Sequence, residues 1–182
     1  MLIGITGKKQ HGKSTVANMI ATEYGFHIVS FAMPIKEVLC HLFGWDYAQC
    51  QEGDFKETPR NDCYGLTPRD LMLTLGTDWG RNTVHRNIWT DAAMKLVDRC
   101  GLEEAQGVVM PDVRFDSEAE AIKRRNGFII SVERSDAPVY LDNHESEQGI
   151  NTLLIDYTVS VRTGEIDTLK GLVRSYIERH LP

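Results

Sequence analysis

The chain has 182 residues, 42% of them apolar and 25% charged, and a formal net charge of -6. Such values suit one compact domain with a real core. The acidic balance argues against a general nucleic-acid coat while leaving room for a local basic pocket. No apolar run approaches the ~20 residues that span a bilayer, and the N-terminus reads as a strand rather than a signal peptide, so no membrane association and a cytoplasmic location are expected. The four cysteines, at 40, 50, 63 and 100, contain no CxxC pair. They read as reduced thiols; a zinc set of Cys40, His41, Cys50 and Cys63 has irregular ligand pairing.

In chain order, residues 2–6 form an apolar strand, and residues 14–24 a helix stopped by Gly25. Residues 27–31 read as a second strand. Pro34 opens a helix through His41, burying Ile35, Val38, Leu39 and Leu42. Residues 44–66 are polar and irregular. Thr67-Pro68-Arg69-Asp70 then has the N-cap, N1 and N3 residues of a helix start, with Leu71, Met72 and Leu75 facing inward. A helix over 87–100, a strand over 107–110 and a helix over 117–126 follow. Residues 128–133 are a strand, 135–149 a polar loop, 153–160 a strand and 168–180 a closing helix. This alternation predicts an α/β fold with a mainly parallel sheet covered by helices on both faces.

Gly7-Lys8-Lys9-Gln10-His11-Gly12-Lys13-Ser14 fits GxxxxGK[ST] in full, with a strand before it and a helix after it. Glycines there let backbone N–H groups turn around phosphate oxygens, and the helix N-terminus adds partial positive charge. Lys13 is placed to bridge the β- and γ-phosphates of a nucleoside triphosphate, and the Ser14 hydroxyl to ligate Mg2+. The strand Val108-Val109-Met110 ends in Pro111-Asp112, a carboxylate suited to Mg2+ directly or through water. No second carboxylate follows to position a water. Arg114 stands there instead, and its planar fork suits an anionic acceptor. A phosphate acceptor is already a nucleophile, so such a site works by positioning and charge neutralisation.

The segments GITGKKQHGKST, SFAMPIKE, TPRDLMLTLGTDWGR, NIW, DVRFDSEAEAI and DNHESE, in that order, resemble the bacteriophage deoxynucleoside monophosphate kinases, a branch of the P-loop kinases. They run from residue 4 to beyond 145; LGTDWGR and DVRFxxEAxAI are the narrow signals. The resemblance implies a single P-loop kinase domain over 1–182, with an acceptor-binding excursion near 44–100 and a short lid near 134–149. It implies transfer of the γ-phosphoryl group of ATP to deoxynucleoside 5'-monophosphates. ATP would be held by Gly7, Lys8, Gly12, Lys13, Ser14 and Thr15, with Mg2+ on Ser14 and Asp112. The acceptor would meet Lys36, Arg69, Gly76, Thr77, Trp89, Asp112, Arg114 and Glu118, and Arg134 would stand where the lid begins. Lys13, Asp112, Arg114 and Arg134 are thus the expected catalytic set.

The chain departs from the family pattern in two places. Residues 135–149 carry no arginine, which leaves Arg134, Arg114 or another arginine to take the lid's share of charge. Asp70 and Leu73 stand where relatives carry basic residues. Trp79 and Trp89 fit packing as well as base stacking, and Lys123, Arg124 and Arg125 read as a solvated helix end. His11 reads as packed or solvated within its loop, and His144 as a turn cap or a nucleotide contact. The competing functions are another small-molecule P-loop kinase, resembling dephospho-coenzyme A kinase, and a nucleotide-dependent switch or ATPase. No stable nucleic-acid partner is expected; a homodimer is compatible with the sequence, which does not reveal the bases accepted.

Overall fold

The first strand, β1 (Leu2–Thr6), is buried along its whole length, which only a strand in the middle of a covered sheet can be. The structure, a computed structural model, describes residues 1–100, 106–137 and 149–180. Its sheet has five strands: β1, β2 (Phe26–Ile28), β3 (Gly107–Met110), β4 (Phe128–Arg134) and β5 (Tyr157–Val161). Their order is β2-β3-β1-β4-β5, and every neighbouring pair is parallel.

Successive residues of β1 serve opposite faces, as the period of two requires. Ile3 and Ile5 enter a core with Val16 and Ile20 of α1 (Lys13–Tyr24) and Val173 and Ile177 of α7 (Ile166–Glu178). Gly4 faces the other way. A Cβ there would lie 2.7 Å from Ile122 of α6 (Asp116–Lys123) and 3.0 Å from Val113, so only hydrogen lets them close. The sheet is therefore covered on both faces, as the alternation of elements predicts.

The chain separates into two compact units, Met1–Ser30 with Leu96–Pro182 and Phe31–Lys95. The first holds the sheet. The second has its own small core of Leu39, Trp45, Cys50 and Cys63. It contains α2 (Met33–Phe43), the short α3 (Gly53–Glu57), α4 (Pro68–Leu73), a π-helical segment Thr74–Val84 and the start of α5 (Ile88–Cys100).

Several elements differ from expectation, among them α2, where Val38 and Leu42 are exposed rather than buried, and α6, which ends at Lys123. β2 covers Phe26–Ile28 rather than 27–31, and Val29 N donates the last bond to Val109 O (3.1 Å). β5 begins at Tyr157: the Asn151 side chain accepts from Leu153 N (3.0 Å), and residues 152–154 become a 3-10 turn. Residues 44–66, expected to be irregular, hold α3 and two 3-10 turns. Among the described residues no helix is long and apolar enough to cross a membrane.

Candidate active site

In a parallel sheet the ligand crevice lies at the carboxyl ends of the strands, where consecutive connections leave in opposite directions. Here that point falls between β1, whose chain goes on to β2, and β3, whose chain goes on to β4. The loop after β1 is the glycine-rich one. Gly7 has φ +136°, Gln10 +65° and Gly12 +99°. Left-handed residues among right-handed ones bend a loop into a concave nest of N–H groups. Gly7 also lies against β4, where a Cβ would fall inside the Val132 carbonyl oxygen. Both conditions demand glycine, which is the physical content of that position in the motif.

Helix α1 starts directly from Gly12 with no side-chain cap and no acidic residue in its first turn. Its terminal N–H groups and its dipole therefore face the loop without a built-in counter-charge. The Lys13 side chain folds back across the loop, its Nζ donating to Gly7 O (2.6 Å) and Lys8 O (2.7 Å). Ser14 is exposed and Thr15 half-buried in the same first turn. His11 ties the loop to the sheet: Arg134 N, on the last residue of β4, donates to His11 Nδ1 (3.2 Å). Burial first, then the charges of Lys13, Arg134 and Lys8, hold the His11 pKa below its usual value.

The turn after β3 lies next to this loop. Val113 N donates to Ile5 O (3.1 Å), which fixes Pro111–Arg114 beside the end of β1. Val113 is buried, while Asp112 and Arg114 are half-buried on either side of it. Glu118 is buried, and its Oε2 accepts from Arg114 N (2.7 Å) and Phe115 N (3.1 Å). Its carboxylate therefore caps α6 and sets the backbone that carries Arg114. The sequence signal for this was a Glu at N3 of a helix, which reads equally as a cap and as a ligand.

The other expected acceptor residues fall in the Phe31–Lys95 unit. Thr67 caps α4 as predicted: its hydroxyl accepts from Asp70 N (3.1 Å), and Asp70 Oδ2 accepts from Thr67 N (3.0 Å). Arg69 Nε pairs with Glu57 Oε1 (2.6 Å), and Lys36 Nζ donates to Gln51 Oε1 (2.7 Å). The LGTDWGR stretch continues α4 as a π-helix, with His85 N bonded to Gly80 O (2.9 Å) and the Thr83 hydroxyl to Asp78 O (2.8 Å). Such wide turns are frequent at functional sites. Gly76 of this segment meets Trp89 of α5: the Trp89 indole N–H donates to Gly76 O (2.8 Å), and its ring lies against Gly80. Thr77 is half-buried beside Gly76, and Trp79 is exposed with its ring 6.2 Å from that of Trp89.

Cys40 and Cys50 hold their sulfurs 3.3 Å apart as thiols, a pairing that sequence reasoning missed. Burial and the neighbouring thiol push the Cys50 pKa up to about 12. Among the described residues no group of three or more His, Cys, Asp or Glu side chains could hold a metal. His144 and most of the expected lid lie outside the described residues.

Two solved structures are similar in fold. A shikimate kinase from Acinetobacter baumannii in complex with shikimate is 14% identical with TM-score 0.51, over 98% of this chain and 93% of that one. TT1252 from Thermus thermophilus is 16% identical with TM-score 0.53, over 98% and 97%. At such identities the likeness is one of fold, and it places the chain in the class of P-loop kinase folds. The family model for deoxynucleotide monophosphate kinase matches residues 52–172. A protein of Acanthamoeba polyphaga mimivirus carrying that family name is 33% identical over 98% of this chain and 96% of its own length. The deoxynucleoside-5'-monophosphate kinase of Escherichia phage T5 is 25% identical over 64% of this chain and 48% of that protein. The chain belongs to the deoxynucleotide monophosphate kinase family, and it is an enzyme of that kinase type.

Proposed function

We propose that the chain transfers the γ-phosphoryl group of ATP to deoxynucleoside 5'-monophosphates, giving dNDP and ADP by in-line transfer. The observation that carries this is the pairing, at the carboxyl edge of the sheet, of the Gly7–Ser14 loop with the Asp112–Arg114 turn, held by the bond from Val113 N to Ile5 O. The loop and the uncapped start of α1 bind the triphosphate through backbone N–H groups, with Gly7, Lys8, Gly12, Lys13, Ser14 and Thr15 as its walls. Lys13 exchanges its two carbonyl partners for phosphate oxygens and neutralises charge moving onto the β–γ bridge. The Ser14 hydroxyl and the Asp112 carboxylate are hard oxygen donors, the set that suits Mg2+ with water completing its shell. When bound, Mg2+ supplies charge neutralisation between the phosphates. Arg114, on backbone held by Glu118, offers its fork to the acceptor phosphate where it meets the γ-phosphate. Arg134 adds positive charge from the end of β4.

The Phe31–Lys95 unit takes the nucleoside monophosphate in this scheme. Lys36 and Arg69 serve its phosphate, and Gly76, Thr77 and Trp89 line its nucleoside. The experiment is a coupled assay of ADP release, with no acceptor and with each of the four dNMPs, ribonucleotides and modified pyrimidines. Release that depends on a dNMP supports the proposal. Release that is independent of acceptor, or that responds to none of these nucleotides, overturns it.

A further inference from the structure

We propose that His11, in its neutral form, is a positioning residue that fastens the glycine-rich loop to the Arg134 end of β4. The role of that loop in ATP binding rests on the proposed function; the fastening itself does not. Three observations carry it. The bond from Arg134 N to His11 Nδ1 joins residues 123 positions apart, so it is a tertiary tie rather than local turn geometry. His11 N also donates to Lys8 O (3.3 Å), which fixes the backbone from which the ring projects. A ring nitrogen that accepts a backbone N–H must be unprotonated, so the tie exists with the Nε2–H tautomer and is lost in the imidazolium.

The charged groups facing the ring are Lys8 of the loop, Lys13 at the start of α1 and Arg134 of β4, all cationic; a hydrogen bond with the Val132 backbone works the other way, favouring the proton, and is outweighed by burial and these charges. A second positive charge among them is unfavourable, and burial opposes it as well. The cluster thus keeps the ring neutral, and the tie closed, through the neutral pH range. The sign follows directly. The unfolded chain binds a proton near the usual pH of about 6.5 while the folded ring resists it. The stabilisation is complete above that pH and is lost as pH falls through the lower folded value.

The loop and β4 supply Lys13 and Arg134, residues from two elements whose spacing must hold to a fraction of an ångström for electrostatic catalysis. The tie sets the distance between their backbones. Proton uptake at His11 then loosens the donor site without removing any group from it.

The test has an arm that is independent of ATP. In the free protein, nitrogen-15 NMR should find His11 as the Nε2–H tautomer, titrating below its usual pH. The Arg134 amide resonance should move with the same midpoint. In His11→Asn the side-chain oxygen takes the place of Nδ1 and accepts at every pH, so the Arg134 amide should stay flat across that range. The kinetic arm compares kcat/KM for ATP. His11→Leu should lose about fivefold at pH 8, the scale of one hydrogen bond. His11→Asn should stay within about twofold of the parent at pH 8 and overtake it as pH falls through the His11 midpoint. An Nδ1–H tautomer, an Arg134 amide indifferent to the His11 titration, or an amide that still titrates in His11→Asn overturns the proposal. Coupled NMR titrations with no effect of any variant on ATP kinetics would instead uphold the tie and sink the donor-site assignment of the loop.

Discussion

Replacing Gly7 and Gly12 by alanine, one at a time, separates two demands that a motif pattern treats alike. Both residues have positive φ, +136° and +99°, so each alanine incurs about 1–3 kcal/mol of backbone strain. Their surroundings differ. At Gly12 the nearest atom to an added Cβ is Leu169 Cδ2 at 3.2 Å, the far end of a side chain that can shift by a few tenths of an ångström. At Gly7 the Cβ falls inside the Val132 carbonyl oxygen. Val132 belongs to β4, paired with β1 on one side and β5 on the other, so it cannot recede without loosening a ladder. Each ladder bond lost adds about 1 kcal/mol. Gly12→Ala should therefore cost about 1–3 kcal/mol and Gly7→Ala about 3–5 kcal/mol. At roughly 2–4 °C per kcal/mol for a chain of this size, Tm should fall by about 6–20 °C for Gly7→Ala and by about half that for Gly12→Ala. Thermal melts followed by circular dichroism read this without any ligand. Equal losses, or a larger loss at Gly12, would refute the packing of Gly7 on β4.

Lys13→Ala should lower kcat for phosphoryl transfer by about 10²-fold or more while leaving Tm close to the parent's; near-normal turnover would remove Lys13 from the catalytic set. Arg114→Ala should lose roughly 3 kcal/mol of transition-state stabilisation, and Arg114→Lys should recover only part of it. Calorimetric ATP affinity in the absence of acceptor should hold in both, and its collapse would place Arg114 with the donor. Trp89→Phe leaves the Gly76 carbonyl without its indole donor, so urea unfolding should show a loss of about 1–3 kcal/mol; an unchanged midpoint would mean that this bond holds nothing.

The loop, the all-parallel sheet and the Thr67 cap were legible because each rests on short-range chemistry. A glycine must stand where φ is positive, a hydroxyl caps three residues ahead, and apolar runs alternate with helical periods. What escaped reading depends on partners far away in the chain. β2 reads as a five-residue strand, but its pairing with β3 stops at Ile28. The hold of Glu118 on Arg114 N and Phe115 N was not readable, because a carboxylate one turn after Arg114 has the same spacing whether it points to substrate or to backbone. The LGTDWGR stretch gave no periodicity that separates a π-helix from an α-helix. Its wide turns accompany the Trp89 ring lying against Gly80, and nothing within the stretch announces that. His11 reads from the sequence as packed or solvated within its loop, since its partner Arg134 lies 123 residues on.

The place of β1 in the sheet has a consequence for how the chain assembles. Leu2 pairs with Val108, and Ile3 with Phe128, so the most buried strand is made first and its neighbours arrive more than a hundred residues later. At about 5–20 residues per second, an apolar LIGIT segment waits several seconds or more on the ribosome with its ladder groups unpaired. During that wait residues 31–95 are complete, and their core of Leu39, Trp45, Cys50 and Cys63 draws on no residue outside that span. Pairing β1 with β3 and β4 is therefore a contact that spans a long stretch of chain, the kind of contact that slows folding. The Gly7–Ser14 loop, hung on that strand, is among the last parts of the molecule to take shape.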